Sequence, residues 1–66
     1  MIDVENELPQ AIASGNAKKV GEICDHLRFS RKLNYAAQIQ LVTELGCNPD
    51  DYEELLYEAD RQSSEH

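Results

Sequence analysis

The sequence predicts an all-α fold, a compact bundle of four short helices with the third helix central. Three observations predict it. Four segments place apolar residues at the three-and-four spacing of a helix stripe. Glycine, asparagine and proline punctuate the chain between those segments. No alternating β-branched run reads as a strand, and no segment recurs at a fixed period. Residues 1–62 are expected to form a single helical domain, with 63–66 as a flexible C-terminal tail.

In the first segment Val4, Leu8, Ala11 and Ile12 share one helix face. A start near Asn6 or Glu7 is expected, because it would put Pro9 in the first turn, where no N–H is needed. Gly15, within Ser14-Gly15-Asn16, suits the left-handed position after a helix end, and Asn16 can cap the next helix. That second helix, about residues 17–27, gathers Val20, Ile23, Cys24 and Leu27 on one stripe. Gly21 inside it implies a close helix contact, since glycine otherwise costs roughly 1 kcal/mol there. Phe29-Ser30 reads as the exit and a new cap. A third helix is expected over about residues 31–45, closed by Gly46. Its Leu33, Tyr35, Ala37, Ile39, Leu41, Val42 and Leu45 spread around the helix, which is the reason to place it in the middle. Asn48-Pro49-Asp50-Asp51 starts the fourth helix, with a cap, a first-turn proline and two acids at the positive end of the dipole. Tyr52, Leu55, Leu56 and Ala59 form its stripe, with the Tyr52 hydroxyl expected at the edge of the core.

Sixty-six residues exclude a two-domain enzyme, a βαβ cofactor domain and a deep pocket. A chain this short buries only about 60 % of its unfolded surface and is marginal alone, so a partner or a homodimer is expected to stabilise it. Thirteen acids against six bases give a net charge of −7. That balance disfavours nucleic acid and anionic lipid, and favours a basic protein partner. The longest uncharged stretch, Leu33 to Thr43, is too short and too polar for a membrane span. The acidic start has no leader pattern, so a cytoplasmic location is expected. Cys24 and Cys47 are then expected to be reduced. Cys24, His26, Cys47 and Asp50 lack metal-ligand spacing, and neither a metal nor a cofactor is expected.

Charge is segregated along the chain. Residues 16–32 carry five bases and two acids, whereas residues 44–66 carry eight acids and one base. An acidic ridge on the fourth helix, with Asp51, Glu54 and Glu58 beside Tyr57 as an interface anchor, is the first candidate binding site. Rows of carboxylates can stand in for phosphates before a nucleic-acid-binding protein. No catalytic motif is present, and Cys24 and His26 point apart on a helix. The expected function is that of a small acidic, non-catalytic regulator, an inhibitor or adaptor of the kind a bacterium or its virus encodes.

Residues 22–41 support a second expectation. The order Ile23, Cys24, Leu27, Phe29, Ser30 resembles the first helix and turn of the helix-turn-helix DNA readers. Two positions depart from that pattern: Arg28 stands where the turn has glycine, and Asn34 where a buried aliphatic residue belongs. The resemblance implies a transcription regulator in which Arg28, Arg31, Lys32, Asn34, Tyr35 and Gln38 face DNA.

Overall fold

The structure, a computed structural model, describes residues 2–64, with side chains through Gln62. Helix α1 spans Val4–Ser14, α2 Ala17–Asp25, α3 Tyr35–Glu44 and α4 Pro49–Ser64, and a π-helical turn at His26–Ser30 extends α2. No strand occurs among the described residues. The described residues form an all-helical small bundle with four α-helices, as the apolar stripes predict.

Both predicted glycine stops are built alike. Gly15 (φ +67°) and Gly46 (φ +83°) adopt the left-handed conformation. The N–H groups of Gly15 and Asn16 donate to the Ile12 and Ala11 carbonyls, at 3.1 and 3.0 Å. Those of Gly46 and Cys47 donate to Thr43 and Val42, at 3.0 and 3.1 Å. These paired bonds satisfy carbonyls that the helix end leaves open. The predicted caps also form: Asn16 Oδ1 accepts from the Lys19 N–H at 3.2 Å, and Asn48 Oδ1 from the Asp50 N–H at 2.9 Å.

Helix α1 starts earlier than expected, so Pro9 lies inside it rather than in its first turn. The Glu5 carbonyl therefore has no N–H four residues on. Two gains offset that loss. Val4 and Leu8 reach the core and are fully buried, each gaining about 1.5–3 kcal/mol. A local clasp closes the start: the Asp3 N–H donates to Glu7 Oε2 at 2.6 Å, and the Asp3 carbonyl accepts from the Glu7 N–H at 2.7 Å.

The chain between α2 and α3 departs most from expectation. Phe29 and Ser30 do not form a turn and a cap; both belong to the π-helical turn, in which the Arg31 N–H donates to the His26 carbonyl at 3.3 Å. Lys32 then takes a left-handed conformation (φ +56°). Asn34, not Ser30, caps α3, its Oδ1 accepting from the Ala37 N–H at 2.8 Å. A wide turn satisfies the end of α2 and delays the next helix by four residues, which takes Leu33 off α3. At the other end of the chain, α4 continues past Gln62 to Ser64. The remainder of the expected tail, Glu65 and His66, lies outside the described residues.

The central position belongs to α2 rather than α3. Helix α2 packs on both α1 and α4, whereas α3 leans chiefly on α4. The core joins Val4, Leu8, Ala11, Val20, Ile23, Leu27, Val42 and Tyr52. Gly21 is what lets α2 approach α4: a Cβ there would lie 3.1 Å from the Ala59 Cβ. The close contact expected at Gly21 is thus present, and it seats α2 between its neighbours. An ion pair from Lys19 Nζ to Glu7 Oε1, 3.1 Å, ties α2 to α1 at the surface. Lys19, followed by the Asp3 N–H, holds the Glu7 carboxyl below its ordinary pKa of 4.5.

Candidate functional site

Helix α4 carries the four candidates of the acidic ridge, and its fold context divides them between two flanks. Asp51, Glu54 and Glu58 line one wall of an open groove of about 760 Å³ whose opposite wall is the α1–α2 turn, including Ser14, Gly15 and Lys18. Asp51 and Glu54 are exposed and Glu58 is half-buried. Arg61 pairs with Glu58 at 3.0 Å, so one charge of this row is partly compensated. Tyr57 does not line that groove. It lies across the outer crest of α4 in a smaller cleft of about 290 Å³, with Glu53, Leu56 and Asp60 from α4 and Tyr35 from α3. Tyr57 is 66 % exposed and Tyr35 49 %. The Tyr35 phenol has a raised pKa, through burial first and the Glu53 negative charge second.

The second candidate set is dispersed. Arg28, Arg31 and Lys32 are exposed around the π-helical turn, where Phe29 is 70 % exposed and the Arg28 guanidinium lies 5.5 Å from its ring centre. Asn34 is exposed, but its side-chain oxygen is engaged in capping α3. Gln38, expected to face DNA, is 3 % exposed and points inward. Its Nε2 donates to the Leu33 carbonyl at 3.0 Å, while its Oε1 accepts from Tyr52 Oη at 2.8 Å and Cys24 Sγ at 3.2 Å. This one amide gathers the ends of α2, α3 and α4. It also corrects the position of the Tyr52 hydroxyl, which is inside the core rather than at its edge. Burial, followed by the neighbouring Cys24 thiol, pushes the Tyr52 phenol far above its ordinary range.

Every buried side-chain polar atom among the described residues has a partner. Cys24 and Cys47 are both free and half-buried. Among the described residues no three His, Cys, Asp or Glu side chains converge to hold a metal ion. None of the described helices is long and apolar enough to cross a membrane.

The acidic row follows from its spacing on α4, and the sequence shows it directly. The Tyr35–Tyr57 cleft needs the start of α3, which the sequence misplaces. Four of its five wall residues are nonetheless visible as one helix face, since Glu53, Leu56, Tyr57 and Asp60 fall at i, i+3, i+4 and i+7. No protein-family model, curated protein or solved structure matches this chain.

Proposed function

We propose that this chain is a non-catalytic protein-binding regulator, an inhibitor or adaptor, that presents the acidic flank of α4 to a basic partner. The observation that carries the reading is the alignment of Asp51, Glu54 and Glu58 along one wall of one open groove. With a net charge of −7, such a row attracts a basic surface over a screening length of about 8 Å at physiological salt. A nucleic-acid-binding protein or enzyme is the partner class with that surface chemistry. The setting is cytoplasmic, whose reducing poise keeps Cys24 and Cys47 free of a disulfide. Of the residues proposed for DNA contact, Gln38 is buried and Asn34 caps a helix, so that alternative retains the exposed Arg28, Arg31, Lys32 and Tyr35.

Affinity capture from host lysate with and without nuclease, using the natural chain and a Glu54→Lys/Glu58→Lys variant side by side, tests the reading. Neither residue is in the core, so the variant should fold and should capture its basic partner with a severalfold slower association. An Arg31→Glu/Lys32→Glu variant should retain capture. Unchanged association by the first variant, or capture that disappears with nuclease, overturns the proposal.

A further inference from the structure

The cleft on the other flank of α4 has a different chemistry from the acidic row. Four of its wall residues, Glu53, Leu56, Tyr57 and Asp60, form one face of α4, and Tyr35 at the start of α3 closes the opposite side. Two exposed aromatic rings therefore stand over an aliphatic floor with carboxylates at the rim. Among the described residues no lysine or arginine forms an ion pair with Glu53, whereas Lys19 and Arg61 are paired with Glu7 and Glu58. The Arg28 guanidinium lies over the Phe29 ring.

We propose that the Tyr35–Tyr57 cleft is a socket for a single arginine side chain from a basic protein segment. The volume of about 290 Å³ suits one long side chain rather than a folded element. A guanidinium is planar and weakly hydrated, stacks on aromatic faces, and offers a two-pronged donor to a carboxylate. Lysine presents a compact, strongly hydrated charge and gains less from two rings. Phosphate and acidic ligands are repelled by Glu53 and Asp60, and an apolar helix would strip water from the Glu53 carboxylate without replacing it. The negative field at Tyr35 points the same way, because Glu53 acts on that phenol. The socket shares with the reading above only the basic character of the partner; its residues are separate from Asp51, Glu54 and Glu58.

The test uses two capped pentapeptides, one arginine or one lysine between glycines, titrated into the full chain at low salt and followed by residue-resolved NMR. Arginine peptide should shift Tyr35, Glu53, Leu56 and Tyr57, and should bind up to about fivefold tighter than its lysine twin, the ceiling set by a whole exposed cation–aromatic contact. Tyr57→Ala keeps the net charge and removes an exposed ring, and should erase that preference. Tyr57→Phe should retain it, and Glu53→Gln should weaken binding severalfold. The Glu54→Lys/Glu58→Lys variant should still shift the cleft residues, so failure of the acidic-row reading leaves this one intact. Equal affinity for the two peptides overturns the proposal, as do shifts spread over all carboxylates or a Tyr57→Ala variant that behaves like the natural chain. Concentration-dependent dimerisation abolished by Tyr57→Ala also overturns it, by assigning the cleft to a second copy.

Discussion

Helices α2 and α3 are nearly equal in length, nine and ten residues, yet they do opposite things with their apolar residues. Helix α3 is richer in them, with Tyr35, Ala36, Ala37, Ile39, Leu41 and Val42, but of these only Val42 is fully buried. Helix α2 has fewer and buries Ala17, Val20 and Ile23 on one stripe. Concentration of apolar area on one face, together with a glycine that admits a neighbour, decides which helix is enclosed. Quantity does not. A helix whose apolar residues are spread around its circumference covers the rim of a small bundle and is anchored by a specific contact, here Gln38.

The largest expected effect compares the two helices directly. Ile23→Ala should cost about 2–5 kcal/mol in chemical denaturation, because α2 has packed neighbours on both sides and the site does not collapse. Ile39→Ala on α3, where the side chain is only half-buried, should cost about 1 kcal/mol. Equal losses would remove the distinction between hub and rim.

Next in size is the anchor itself. Gln38→Leu leaves the buried Tyr52 hydroxyl without its acceptor and should cost about 1–3 kcal/mol. Adding Tyr52→Phe should recover part of that loss, and a double-mutant cycle measures the coupling. Strict additivity would mean that α3 is held by its apolar contacts alone.

The smallest effects are pH dependences that separate the two helices. The folded-state pKa of Tyr52 is raised above 10.0, so its contribution is complete below that pH and is lost as pH rises beyond it. Glu7 is the reverse case. Its folded-state pKa lies below 4.5, so the Glu7–Lys19 ion pair between α1 and α2 contributes above that value and is lost as pH falls through the lowered one. Denaturation midpoints should therefore fall at both extremes, with Tyr52→Phe flattening the alkaline limb and Glu7→Gln the acid limb. A variant that flattens the wrong limb would contradict these assignments.

What was legible in the sequence was local. Asn16, Gly15, Gly46 and Asn48-Pro49 mark helix ends because a cap needs a side-chain acceptor and a left-handed turn favours glycine. Those requirements are met within a few residues. The start of α1 is not legible because Val4 joins a core that is completed only by residues of α2, α3 and α4. The α2–α3 junction is not legible because a wide turn has no distinct residue signature, and Ser30 is as good a cap in composition as Asn34. Asn34 itself was the visible clue: it departs from the aliphatic residue expected in a helix-turn-helix, and a cap is what it is. The acidic row was legible as a periodicity. The pairing of Tyr57 with Tyr35 across two helices was not.

The enclosure of Tyr52 gives the molecule a built-in optical label. The chain has no tryptophan and three tyrosines, of which Tyr35 and Tyr57 are exposed while Tyr52 is fully buried and hydrogen-bonded. Only a ring held in one asymmetric environment gives a strong near-ultraviolet circular dichroism band, so that band reports chiefly on the seam where α2, α3 and α4 meet. A preparation that keeps its far-ultraviolet helical signal and loses this band has helices without side-chain packing, the signature of a molten globule.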